Sequence, residues 1–141
     1  MDANEGPAEL DIDIRAAFGA ESGVAVQCFT LYVPNKDRND NEFGTQRQWV
    51  LEAIRLLSEI NGGATAIPVE GGWVSQDGKL ILENPVVVYS FVTNRQRFVV
   101  EIPRLRAFLH RLGRETDQGE IAFEFGDKFF RIRTFDPPTG A

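Results

Sequence analysis

Hydrophobic and polar positions along the chain alternate with two different periods, and the switches between them divide it into elements. Leu10, Ile12 and Ile14 alternate with Asp11, Asp13 and Arg15, the period of a half-buried strand at a sheet edge or of an arm onto a partner. Val24 to Val33 is mostly apolar at both parities, which predicts an interior strand ended by Pro34. Thr45 and Gln48 have the spacing of a capping box. Trp49, Ala53, Leu56, Leu57 and Ile60 then recur at helical spacing until Asn61-Gly62-Gly63 stops the helix.

Ala64 to Val69 and Lys79 to Leu82 predict strands around a turn, with Gly71-Gly72 and Asp77-Gly78 as breakers and Trp73 between them. Pro85 to Val92 carries the apolar run VVVYSFV of a central strand. Pro103 suits a first helical position, so the second helix is placed from there to about Glu115, with Leu105, Phe108, Leu109 and Leu112 inward. Extending it backward as one ideal helix would turn Glu101 toward the core. Ile121 to Phe125 and Phe129 to Phe135 flank Gly126-Asp127 as a terminal hairpin.

The order strand, helix, hairpin, strand, helix, hairpin predicts an α+β fold of ferredoxin-like pattern: an antiparallel sheet with two helices on one face and additional hairpins. Residues 10–135 form one domain, between flexible tails at 1–9 and 136–141. The sheet face away from the helices is apolar and aromatic, so a sheet-to-sheet homodimer or a bound ligand is expected to cover it.

A resemblance points the same way. Gly63-x-Thr65, Gly72-Trp73, Gly78, Glu83 with the apolar strand after it, and Gln118 before the last hairpin resemble a group of small uncharacterised bacterial proteins with a ferredoxin-like α+β fold. The likeness spans about Leu31 to Ile132. It implies a fold and carries over no catalytic residue; the acidic N-terminal segment and arginine-rich second helix are not part of it.

Composition narrows the chemistry. At 141 residues the chain suits a single domain with one core. Cys28 is its only cysteine, so no intrachain disulfide forms; it reads as a small buried hydrophobe, and a reducing, cytoplasmic location is expected. No apolar stretch approaches membrane-span length, and membrane partners are not expected. One histidine and one distant cysteine cannot build a zinc site. Asp37, Asn39 and Asn41 imitate calcium-ligand spacing, but Glu42 stands where the glycine is needed and Gln48 where the closing acid is needed. Glu70, Asp77 and Glu83 lie close in sequence, two of them beside turn glycines. No metal, cofactor or catalytic residue is assigned.

The net charge of −6 conceals a segregation: Asn94 to Arg114 carries six arginines against Glu101 alone, leaving −11 for the rest of the chain. Arg104, Arg106, His110, Arg111 and Arg114 therefore form a candidate partner-binding set, with His110 expected exposed and neutral among the arginines. The leading reading is a non-catalytic binding or assembly module of a bacterial complex, engaging a protein partner or a second copy through this helix or the aromatic sheet face. The alternative is a small-molecule binder or small enzyme with a pocket between the Trp73 hairpin and the sheet, using Tyr32, Trp73, Tyr89, Glu124 and Arg131. There Glu124 is a candidate buried acid, against a cross-strand pair with Arg131 or Arg133, and Trp73 is either a stacking residue or, more simply, a buried fastening of its hairpin. A third reading, a nucleic-acid-binding accessory of a mobile-element or defence system, rests on the mixed aromatic and basic FFRIRTF segment.

Overall fold

The computed structural model describes residues 12–21 and 23–138; the expected N-terminal tail and Leu10 lie outside them. In chain order the elements are α1 (Ile14–Phe18), β1 (Gln27–Val33), α2 (Gln46–Asn61), β2 (Thr65–Pro68), β3 (Gly71–Val74), β4 (Leu80–Glu83), β5 (Val86–Val92), α3 (Arg95–Glu115), β6 (Ile121–Phe125) and β7 (Lys128–Ile132). Five strands form one sheet in the order β2-β5-β1-β6-β7, every neighbouring pair antiparallel, while β3 and β4 make a separate two-stranded ribbon. The chain is mixed α+β with a mostly antiparallel sheet.

Register decides which residues share a face. Leu31 stands opposite Val88, Phe29 opposite Ser90 and Phe125, and Ile121 opposite Ile132. These face the helices, where α2 supplies Trp49, Val50, Ala53, Leu57 and Ile60, and α3 supplies Phe98, Leu105, Phe108, Leu109 and Leu112. Aromatic rings fill much of this layer: Phe98 stacks on Phe125 with centroids 5.4 Å apart, and Phe123 stacks on Phe130 at 5.0 Å. The central run of β5 and the inward faces of both helices match the sequence expectation because one local period carries the information in each case.

Boundaries depart from it where a second signal outweighs the pattern. The described end of the alternation, Ile12 to Ile14, leads into a helix instead of a strand: Ile14 opens five helical residues, with Asp13 Oδ1 accepting from Ala16 N at 3.2 Å and Gly19 closing it at φ 63°. β1 begins only at Gln27, where pairing with Val92 begins; Val24 is exposed. Thr45 caps α2 through its carbonyl, which accepts from Gln48 N and Trp49 N, and not through its side chain. Gly71 and Gly72 are strand residues, not breakers.

The second helix begins eight residues before Pro103. Asn94 Oδ1 accepts from Arg97 N at 3.0 Å, a cap that starts the helix at Arg95. Pro103, inside the helix and solvent-exposed, forgoes one backbone hydrogen bond there. Glu101 is not driven unpaired into the core, because its carboxylate takes Arg104 Nη1 at 3.0 Å.

Candidate functional site

The face of the sheet away from the helices carries Cys28, Thr30 and Tyr32 on β1, Val87, Tyr89 and Phe91 on β5, Glu124 on β6, and Phe129 and Arg131 on β7, by the alternation and register of those strands. Cys28 is half-exposed here, not a buried core residue, because its parity in β1 is the open one. At one end of this face a cleft of about 960 Å³ opens between the sheet and the β3–β4 ribbon.

Its floor is the end of β1 and the start of β6, with Tyr32, Pro34, Ile121 and Ala122; Phe129 and Arg133 close one side, and Trp73 and Glu83 of the ribbon the other. Two aromatic–carboxylate pairs stand on it. Tyr32 donates its hydroxyl to Glu124 Oε2, its diagonal neighbour across the β1–β6 ladder. That bond to a carboxylate, then partial burial, then the negative charge of Glu124 push the phenol up to about 12. On the opposite wall Trp73 Nε1 donates to Glu83 Oε1 at 3.3 Å. The charged side chains lining the cleft are Asp37, Asp40, Glu83 and Glu120 with Arg38 and Arg133; Asp40 is paired with Lys36, and Glu120 with Arg131 and Arg133.

Long-range tethers hold the walls. Lys36 Nζ donates to the Leu82 carbonyl at 3.1 Å, and Gln46 Nε2 joins the carbonyls of Val33 and Asn84 at 3.1 and 2.9 Å, which fastens the base of the ribbon. The loop after β1 is pinned to the α3–β6 turn by Arg38, which pairs with Asp117 at 2.9 Å and donates to the Gln118 carbonyl at 3.0 Å. Buried Gln118 returns Nε2 to the Lys36 carbonyl at 2.8 Å. Asp40 and Asp117, one in each of these segments, hold the left-handed conformation at φ 64° and 53°.

The five pocket candidates are thus only partly gathered. Tyr32 and Trp73 line the cleft, and Glu124 reaches it through Tyr32. Tyr89 lies further along the face, edge-on to Phe91 at 5.9 Å, and Arg131 leans over the Phe129 ring at 5.3 Å. Trp73 is 53% exposed, not a buried fastening, because the ribbon is cantilevered from the sheet instead of packed into it. Glu124 does not pair with Arg131 or Arg133; Phe129 is its opposite, and both arginines turn to Glu120 at 3.7 and 3.6 Å. Glu83 as a wall of the site was not singled out; its alternation with Trp73 across the ribbon becomes a signal only once β3 and β4 are paired.

The arginine-rich helix spends its charge internally. Arg104 reaches Glu59 at 2.8 Å and Glu101 at 3.0 Å, Arg111 pairs with Glu52 and lies over the Trp49 ring at 4.8 Å, and Arg106 grips the Asp136 carboxylate at 2.8 and 3.0 Å. Arg114 donates to the Asp136 carbonyl. His110 is buried, not exposed: Nδ1 accepts from Asp136 N at 2.8 Å, and Phe135 packs edge-on against its ring. Phe135 also sits where a Cβ on Gly113 would be, 2.2 Å away, so this strap of chain fits only over a glycine. Among the described residues, no group of three metal-ligating side chains converges.

Arg106's hydrogen bonds first, with the charges of Arg106 and Arg114, hold the Asp136 carboxyl below the usual range. A lowered folded pKa contributes stability above the unfolded value of about 3.9, and that contribution disappears as pH falls through the folded value. Asp136→Asn, which keeps the backbone bond to His110, is expected to lower the melting temperature by about 2 °C at pH 7. The difference from the parent should narrow as pH falls below the ordinary carboxylate range. Calorimetry across pH 2–7 checks it, and a gap of constant size over that range contradicts the ion-pair account.

No protein-family model matches the chain, and no curated protein matches it. Among solved structures, a phage SAM lyase in complex with S-methyl-5′-thioadenosine superposes with TM-score 0.55 at 15% identity, over 81% of this chain and 94% of that one. A phage SAM lyase in the apo state superposes with TM-score 0.53 at 15% identity, over 77% and 89%. The expectation of a non-catalytic assembly module is thereby overturned: the similar solved chains are those of an enzyme, one with a small molecule bound, and of the arginines assigned to a partner, Arg104, Arg106 and Arg111 are paired with the chain's own acids. Among the described residues no helix is long and apolar enough to cross a membrane.

Proposed function

We propose that the chain is a small enzyme or small-molecule binder that takes a cationic sulfonium nucleoside of the S-adenosylmethionine type in the cleft between the Trp73 ribbon and the sheet. The observation that carries this reading is the pair of aromatic–carboxylate couples at one cleft, Tyr32 on its floor bonded to Glu124 behind it and Trp73 bonded to Glu83 on the ribbon wall. A sulfonium, like a quaternary ammonium, offers a diffuse positive charge and no hydrogen to donate, so an aromatic face backed by a carboxylate is the chemistry that recognises it. The planar Trp73 ring, half-exposed at the rim, also offers a surface on which a purine stacks. The strand order β2-β5-β1-β6, with α2 and α3 on one face, further supports a ferredoxin-like description of the fold.

S-adenosylmethionine and S-methyl-5′-thioadenosine differ by the four-carbon amino-acid chain on sulfur. When that carbon–sulfur bond breaks, its electron pair passes to sulfur and the cation becomes a neutral thioether, while the substrate's own carboxylate forms the new bond to that carbon and the amino-acid chain leaves as a lactone. The lining carboxylates therefore stabilise the substrate more than the transition state, in which the charge is being lost, and act in binding. Aromatic walls that exclude water favour the charge-dispersed transition state.

The test is to incubate the purified chain with S-adenosylmethionine and follow S-methyl-5′-thioadenosine by chromatography and mass spectrometry, with binding measured in parallel by calorimetry. Turnover, or saturable binding of the sulfonium, is expected. Neither turnover nor binding at millimolar ligand would remove the reading.

A further inference from the structure

Two apolar surfaces outside the cleft are left uncovered within one chain. The first is the arm before β1: Ile14 and Phe18, one helical turn apart on α1, are 49% and 79% exposed, and Ile12 is exposed beside them. No residue of α1 is buried. A five-residue helix is far too short to hold itself in water, however well capped, and draws its stability from packing. The second is the outer side of the first half of α3, where Val99, Val100 and Ile102 are exposed next to exposed Arg95 and Arg97.

The two surfaces match in chemistry. In sequence the arm around Ile12 and Ile14 is acidic on balance, Asp11 and Asp13 standing against Arg15; around Val99 and Val100 the helix is basic, and Arg95 and Arg97 precede the stretch whose arginines turn to the chain's own acids. They also leave the domain at the same place. Gln27, where the arm joins β1, stands opposite Val92, and α3 begins three residues beyond Val92. Within the single chain neither covers the other.

We propose that the arm of one copy, centred on Ile14 and Phe18, docks on the Val99–Val100–Ile102 face of a second copy, whose own arm returns the contact. Because arm and acceptor face emerge at one end of the sheet, a two-fold axis there closes both contacts at once, giving an isologous arm-exchanged dimer. The acidic residues of the arm meet Arg95 and Arg97 and set its direction. The open sheet face and its cleft stay free, so the dimer stands whether or not a sulfonium ligand is bound there.

The experiment is sedimentation equilibrium of the full chain and of two variants at exposed positions, Phe18→Asp and Val100→Asp. The parent is expected to be a dimer, and each variant to dissociate at least about 100-fold more readily, close to 2.7 kcal/mol. Mixing the variants is the decisive measurement. The intact arm of the Val100→Asp chain can then dock on the intact helix of the Phe18→Asp chain, so the mixture is expected to recover heterodimer that neither variant forms alone. A monomeric parent overturns the proposal, as does a variant that remains dimeric with unchanged affinity, or a mixture that fails to associate. Circular dichroism of each variant separates a lost contact from a lost fold, and a third variant, Phe18→Ser, repeats the arm test without an added charge.

Discussion

Replacing Val88 by aspartate should unfold the domain, whereas the same change at Phe91, three residues along the same strand, should leave it folded. Val88 is fully buried opposite Leu31 under both helices, and among the described residues no cation stands near to pair an acid there. The variant loses the burial of an aliphatic side chain, about 1.5–3 kcal/mol, and must either bury an unpaired carboxylate or protonate it. A combined cost above about 4 kcal/mol consumes much of the 5–15 kcal/mol by which domains of this size are stable. Phe91 lies at the opposite parity, half-exposed on the open face, where a carboxylate stays hydrated. The measurement is far-UV circular dichroism with thermal melts of both variants. A cooperatively melting Val88→Asp protein would show that the helix-covered face has been assigned to the wrong parity.

Trp73→Ala and Glu83→Gln are expected to weaken ligand binding in different ways. If Trp73 stacks on the base, its removal costs about 1–3 kcal/mol, or 10- to 100-fold, for the sulfonium S-adenosylmethionine and the neutral S-methyl-5′-thioadenosine alike, since both present the same purine. Glu83→Gln keeps an oxygen for Trp73 Nε1 but removes the charge, so it should cost about tenfold for the sulfonium and little for the thioether. Where turnover is measured, the Glu83 change should raise KM more than it lowers kcat, because the charge it faces vanishes along the reaction. Calorimetric titration of both ligands into both variants decides it. Equal losses for the two ligands in Glu83→Gln would place the sulfonium elsewhere, and an unaffected Trp73→Ala would take the base off the ribbon.

The resemblance to small bacterial proteins implied a fold and no activity, and the α+β class it implied is the class observed. The reading of function from charge segregation failed for a physical reason. Six arginines in one helix stand out in a linear count, but α2 lies beside α3 and presents Glu52 and Glu59 to them, and Asp136 folds back onto Arg106, His110 and Arg114. A patch of charge is a property of a surface, and these neighbours are 22 to 59 residues away.

Local patterns along the chain were enough for the apolar run of β5, the inward faces of α2 and α3, the glycine that ends α2, and the impossibility of an intrachain disulfide. These follow from the periods of strand and helix and from counting, and need no knowledge of what packs where. Tyr32, Trp73 and Glu124 were nameable as polar-tipped or isolated residues on open parities. Only the tertiary structure decided that β1 inserts between β5 and β6, which brings Tyr32 to a carboxylate 92 residues away, and that the ribbon leans out so that Trp73 and Glu83 wall a cleft instead of filling a core. The reason is that strand pairing and register are set by the summed burial of whole faces. A site made of residues from β1, β3, β4 and β6 exists only once those faces have chosen their partners.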